Sequence, residues 1–84
     1  MLRLQPIKVA TTSTDEDGML IFSGQHLVAI VVRLEPRVHG ERYAGKWNLE
    51  ATFDHLPYPP DKVFDDLDHA QDWIAKKLKR KVFG

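Results

Sequence analysis

The last quarter of the chain carries the pattern that most constrains its fold, an apolar stripe at helical spacing. Its apolar residues recur at steps of three and four, which places them on one side of an α-helix: Phe64, Leu67, Ala70, Ile74, Leu78 and Val82. Asp65 or Asp66 can serve as the N-cap, and Gly84 can end the helix in a left-handed conformation. The pattern predicts an amphipathic helix over residues 64–83, which needs a partner surface to bury its stripe.

The segment upstream of this helix has the features of a β-sheet. Residues 27–32 are apolar on both faces and rich in β-branched side chains, which is typical of a central strand. Residues 47–54 alternate strictly between apolar and polar, which predicts a strand with one buried face. A Ser23-Gly24 turn follows the apolar run at 19–22, so we expect a tight hairpin there.

These elements predict a single α+β domain over residues 1–84, with an antiparallel three- to four-stranded sheet packed on one C-terminal amphipathic helix. Residues 1–18 are expected to form an edge strand, because Pro6 cannot donate to a ladder, and then a mobile polar loop. Residues 19–54 form the predicted β-meander. The Pro-rich connector at 55–63 is either a stiff spacer or a segment that binds an aromatic groove on a partner.

A sheet of this kind has two faces, and one helix can cover only one of them. We expect the helix to meet Val28, Ile30, Val32 and Leu34 of the central strand and Trp47, Leu49, Ala51 and Phe53 of the next. The other face is expected to consist of Leu20, Phe22, Leu27, Ala29 and Val31. Either the N-terminal segment or a second copy must cover such a face, and we predict a homodimer formed through this face or through a sheet edge, with a different protein as another candidate partner.

The best candidate for binding a polar partner is a basic and aromatic stretch in the loop before the alternating strand. Its residues are Arg33, Arg37, His39, Arg42, Tyr43 and Lys46. Arginine and tyrosine on a loop suit phosphate contacts and base stacking, so nucleic-acid binding is the alternative function. A solvated hairpin loop would have the same composition. The chain has 12 basic and 12 acidic residues, and this zero formal net charge disfavours general affinity for nucleic acid or anionic membrane.

The residue types that support catalysis or cofactor binding do not form a recognisable set. There is no cysteine, and the four histidines include no close metal-ligating pair. His69 and Asp72 at helical spacing, and the acidic run Asp15-Glu16-Asp17, are weak candidates for metal contacts, and a solvated surface explains both better. We therefore predict a protein that is not an enzyme and has no cofactor.

Three further features concern the compartment. The absence of cysteine fits a reducing environment, and the longest apolar run, residues 27–32, is too short to span a bilayer as a helix. The N-terminus is broken by polar residues and lacks the core of a signal peptide. These observations predict a cytoplasmic protein without a membrane partner.

One pattern resembles a known family. Gly45-Lys46-Trp47 opens a strand, and the spacing of Phe64, Leu67 and Ala70 follows at the helix. This resembles the arm-binding N-terminal domains of phage-type integrases, whose pattern is glycine-x-tryptophan, strand, then phenylalanine-x-x-leucine-x-x-alanine. The resemblance covers about half the chain and implies a three-stranded sheet with one helix. It also implies that the sheet face opposite the helix enters the DNA major groove.

Overall fold

The computed structural model describes residues 2–10, 17–35 and 40–81, with side chains through residue 78. The described segments form strands β1 (Leu2–Lys8), β2 (Asp17–Ser23), β3 (His26–Arg33), β4 (Trp47–Thr52) and β5 (Val63–Phe64), a 3₁₀ turn (Glu41–Tyr43) and helix α1 (Leu67–Lys81). No helix within these segments is long and apolar enough to cross a membrane.

The strands form one antiparallel sheet in the order β1-β2-β3-β4-β5, so every strand neighbours the next in sequence. The predicted α+β fold with a single C-terminal helix is therefore confirmed, with five strands in place of three or four. The additional strand is β5, which forms where the Pro-rich connector ends and pairs with the start of β4. β1 lies at one edge of the sheet and β5 at the other.

The helix starts later than predicted. Phe64 belongs to β5, where it is paired with Trp47, and α1 begins at Leu67. Phe64 nevertheless shares the core with Ala70 and Ile74 of the helix, because β5 leads directly into α1. Sequence spacing alone could not separate a core residue just before the helix from one in its first turn. The predicted last apolar position, Val82, and the predicted stop, Gly84, lie outside the described residues.

Two register shifts decide which side chains face the helix. One lies between Ile21 and Phe22 of β2, and the other between Ile30 and Val31 of β3. At the second shift, Val31 pairs with Leu49 and Ile30 pairs with Ala51, so Glu50 has no partner across the ladder. Such shifts change the face that a side chain occupies relative to a simple alternation.

The predicted face assignment of the central strand is therefore wrong at four positions. Ala29 and Val31 were expected on the uncovered face, but both are fully buried in the core beneath the helix. Ile30 was expected beneath the helix, but its pairing with Leu20 and Ala51 places it on the opposite face, where Val32 also lies. The physical reason is that β3 is apolar on both faces, so its hydrophobic pattern does not specify the phase.

The predicted inward set of β4 holds only for its first half. Trp47 and Leu49 pack in the core, as expected. Ala51 lies beyond the register shift, on the other face, and Phe53 follows the end of the strand and is 45% exposed.

The core lies between one sheet face and α1. Its buried members are Ile21, Val28, Ala29, Val31, Leu49, Leu56, Phe64, Ala70 and Ile74. Leu2 and Leu4 of β1 pack against this cluster from the sheet edge. Residues 2–8 of the N-terminal segment thus form the first strand of the sheet, and Val9, just beyond it, lies against Gly18 at one end of the opposite face.

Candidate functional site

The sheet face opposite α1 presents a continuous apolar surface, which we call the open face. Strand register places its members across all five strands: Ile7, Leu20, Phe22, Leu27, Ile30, Ala51 and Val63. Leu20 pairs directly with Ile30, and Phe22 pairs with Leu27. Most of these side chains are half-buried, and Ile7 is 40% exposed. Neighbours within the sheet account for such partial burial, since α1 and Leu56 of the connector pack on the other side. Val32 lies on the same face but is only 1% exposed, and Val9 lies against its ladder partner Gly18, so this end of the face is covered.

Polar residues on this side of the sheet lie toward its edges. Arg3 of β1 places its guanidinium 4.2 Å from the centroid of the Phe22 ring, a cation–π contact. Gln5 is paired with Leu20, and Asn48 lies between Val32 and Val63. Among the strand residues that the structure describes, Arg3 is the only lysine or arginine that the register places here. The open face is therefore an apolar centre with a sparse polar rim.

The sequence analysis identified part of this surface. Leu20, Phe22 and Leu27 of the predicted dimer face lie on it, whereas Ala29 and Val31 are core residues. Sequence reasoning missed Ile7, Ile30, Ala51 and Val63 on this face. Ile30 and Ala51 are placed there by the register shift in β3, and Ile7 and Val63 by the pairing of β1 and β5, and no local pattern in the sequence reveals either.

A second feature is a cleft on the helix side, at the end of the sheet that α1 leaves uncovered. Its volume is about 760 Å³, and its lining residues come from four strands and the loop before β4: Pro6, Ile7, Lys8, Asp17, Gly18, Met19, Arg33, Gly45 and Trp47. The helix lies at the other end of β1, where Asp68 and Gln71 line a shallow groove with Leu2.

Within the cleft, charged and aromatic side chains form a row across the strands. Lys8 pairs with Asp17, and Arg33 pairs with Trp47. Asp17 and Arg33 each lie one step beyond the Gly18–Val32 pair, so they are neighbours across the β2–β3 ladder. From the β1 edge of the sheet inward, the row therefore consists of Lys8, Asp17, Arg33 and Trp47.

The charges in this row are coupled. The Lys8 ammonium donates a hydrogen bond to an Asp17 carboxylate oxygen. This hydrogen bond, with the Lys8 charge and a smaller contribution from Arg33, holds the pKa of the Asp17 carboxyl below its usual value. Arg33 is exposed and forms no hydrogen bond or ion pair with any residue that the structure describes. Arg33 thus adds a positive charge beside the Lys8–Asp17 pair, next to Trp47 in the β3–β4 ladder.

The remaining residues of the predicted basic loop do not converge on one point. Arg42 donates a 2.9 Å hydrogen bond to the Tyr43 hydroxyl and lies 4.9 Å from its ring centroid. Lys46 is bound to Asp65 at 2.5 Å, and this hydrogen bond and the Lys46 charge hold the pKa of the Asp65 carboxyl below its usual value. Arg37 and His39 lie outside the described residues. Of the predicted binding residues that the structure describes, Arg33 alone lines the cleft.

The weak metal candidates have other contacts. His69 accepts a 3.1 Å hydrogen bond from the backbone N–H of Asp65 through Nδ1, and its ring meets Phe64 edge-on at 5.4 Å between centroids. In the acidic run, Asp17 is held by Lys8, and Asp15 and Glu16 lie outside the described residues. Within residues 2–10, 17–35 and 40–81, no three histidine or acidic side chains come together as a metal site would require.

Comparisons with family models, curated proteins and solved structures found no match to this chain. The resemblance to integrase arm-binding domains therefore stays a prediction. The face that would enter DNA under that resemblance is the open face, which is mainly apolar.

Proposed function

We propose that this protein is a self-associating module that forms a homodimer through the open face of its sheet. The observation that carries the proposal is the block of paired apolar side chains on β2 and β3, Leu20 with Ile30 and Phe22 with Leu27. No helix or strand among the described residues covers this block. A sheet face with this composition is normally buried against a second layer, because water-exposed apolar area is unfavourable.

A second copy of the chain is the best-supported occupant. Residues 2–8 of the N-terminal segment, the other candidate within the chain, already form β1, and Val9 lies beside Gly18, at the end of the face away from the Phe22–Leu27 pair. Two copies related by a two-fold axis would pack sheet on sheet, with the inner faces interdigitating as in a β-sandwich. The formal net charge of zero means that two copies do not repel one another over long range.

The compartment is part of the same proposal. A chain without cysteine needs no oxidising environment, and its stability rests on burying apolar surface. We infer a cytoplasmic module, and a homodimer would extend the small core that a single chain of 84 residues can form. The general role is protein–protein interaction.

The test is the solution mass by light scattering behind a sizing column, at low and high salt. We expect twice the 9.7 kDa of one chain, with no dependence on salt, because apolar interfaces are not screened. Leu20→Glu should convert the dimer to a monomer, since two buried carboxylates would face the apolar surface of the partner. Far-UV circular dichroism verifies that the variant is folded.

The matched control is Tyr58→Glu, which places the same charge on the connector, where the tyrosine is 57% exposed. This variant should remain dimeric. A wild-type mass of one chain at micromolar concentration would overturn the proposal. So would a dimer that Leu20→Glu leaves intact, because the interface would then lie elsewhere.

The alternative function, nucleic-acid binding through the basic loop, has weaker support. Lys46 is paired with Asp65, and the Arg42 guanidinium is hydrogen-bonded to the Tyr43 hydroxyl. Phosphate binding requires several cations that are free to exchange counterions, and its affinity falls steeply as salt rises. The same two-salt experiment with added oligonucleotide distinguishes this function from apolar self-association.

A further inference from the structure

We propose that the cleft at the end of the sheet binds a small monocarboxylate with a flat apolar body. The cleft shares Ile7 with the open face, but its row of charged and aromatic side chains lies on the helix side of the sheet, so the carboxylate contact does not depend on the proposed dimer. The carboxylate would bind Arg33, and the apolar body would lie over Met19 and Trp47.

Arg33 would bind the charged end of the ligand. Arg33 is an exposed guanidinium at the end of β3, and it has no hydrogen bond or ion pair within the described part of the chain. A guanidinium presents two parallel N–H donors that match the two oxygens of a carboxylate. Because Arg33 is held by the paired end of β3, its backbone is already positioned for such a contact.

The charges around Arg33 determine which anions the site favours. Asp17 lies beside Arg33 across the ladder and is held ionised by the Lys8 ammonium. The row of Lys8, Asp17 and Arg33 therefore has a net charge of one, and the Asp17 carboxylate would repel a multiply charged anion such as phosphate. These charges favour a singly charged carboxylate.

Trp47 and Met19 would contact the apolar end of the ligand. Trp47 is paired with Arg33, and Met19 is two residues after Asp17 on the same face of β2. Both side chains are half-buried. An indole and a thioether together provide a surface on which a planar apolar group can stack. The cleft volume of about 760 Å³ falls within the range of small-molecule sites.

The test is a ¹H–¹⁵N NMR titration of the full chain with indole-3-acetate and with its neutral isostere indole-3-acetamide. Saturable shifts should appear at Gly18, Gly45 and the Trp47 indole N–H, all of which line the cleft. We expect the acetate to bind roughly tenfold more tightly than the amide, because a hydrogen bond to a charged group is stronger than one between neutral groups. Inorganic phosphate should bind more weakly than the acetate.

Two variants localise the effect. Arg33→Gln should remove the tenfold preference for indole-3-acetate over indole-3-acetamide, whereas Lys76→Gln should leave this preference unchanged. Lys76 provides the matched control because it loses the same charge on the exposed surface of α1, where it is paired with Asp72.

Three results would overturn the proposal. The first is the absence of saturable chemical-shift changes at millimolar indole-3-acetate. The second is equal affinity for indole-3-acetate and indole-3-acetamide. The third is binding of inorganic phosphate as tight as that of indole-3-acetate, which would indicate a simple anion site without an apolar component. The comparison of acetate with amide uses the wild-type protein, so it decides the question even if Arg33→Gln fails to fold.

Discussion

At the scale of single residues, Gly18 shows how closely the strands and the N-terminal segment pack. It lies at the start of β2, between Ile7 on β1 and Val32 on β3. A Cβ atom at this position would come within 2.6 Å of Val9 Cγ2 and within 3.4 Å of the Val31 carbonyl oxygen. Glycine is therefore required here by space and not by backbone conformation.

This close approach gives a prediction for Gly18→Ala. The added methyl group would displace Val9 and should lower the free energy of unfolding by about 1–3 kcal/mol, the usual cost of overpacking. Equilibrium urea unfolding measures the loss. Combining Gly18→Ala with Val9→Ala should recover part of it, because the second change removes the atom that clashes. Strictly additive losses in the double variant would show that the strain arises elsewhere.

Residue contacts differ in how far the sequence could predict them. Asp66 as a helix cap is a local interaction over three residues, and an acidic residue before an apolar stripe already indicates it. The Lys8–Asp17 and Lys46–Asp65 pairs join residues 9 and 19 positions apart. Charged residues at such separations have many alternative partners, so only the strand register selects the ones that meet.

At the scale of elements, the start of α1 is defined by reciprocal hydrogen bonds. Asp66 accepts a 2.8 Å bond from the His69 backbone N–H through Oδ1. His69 in turn accepts a 3.1 Å bond from the Asp65 backbone N–H through Nδ1. This arrangement is similar to a capping box, with histidine in the place of glutamate.

The cap predicts the effects of two substitutions at one position. Asp66→Ala should lower the free energy of unfolding by about 1 kcal/mol, because the N–H of His69 loses its acceptor. Asp66→Asn should change it by less than about 0.5 kcal/mol, because an asparagine oxygen caps equally well. Urea unfolding of the three proteins at neutral pH compares them. An equal loss in both variants would mean that the charge of Asp66, and not its hydrogen bond, stabilises the helix.

The elements also show where pattern and structure diverge. The alternation of β4 predicted a strand, and the structure places one at Trp47–Thr52. The shift at Glu50 nevertheless moves Ala51 to the open face, and β5 forms from a connector that carries no strand pattern. A two-residue strand next to prolines is held by its pairing with β4, so its own sequence gives no signal.

At the scale of the whole molecule, self-association should couple stability to concentration. If the folded state is a homodimer, its unfolding temperature should rise with protein concentration, and each tenfold increase should add about 1.4 kcal/mol per dimer. Differential scanning calorimetry over two decades of concentration measures this. Leu20→Glu should abolish the dependence, and Tyr58→Glu should preserve it. A concentration-independent transition in the wild-type protein would contradict the dimer.

The chain by itself determined what depends on near neighbours. The helix follows from apolar residues at steps of three and four, its cap from an acidic residue three positions before the bonded N–H, and the strands from β-branched and alternating runs. Only the tertiary structure decided which face of β3 meets the helix, which residues form the open face and which form the cleft. Those outcomes depend on register shifts and on pairing between distant strands, and a strand that is apolar on both sides carries no local information about either.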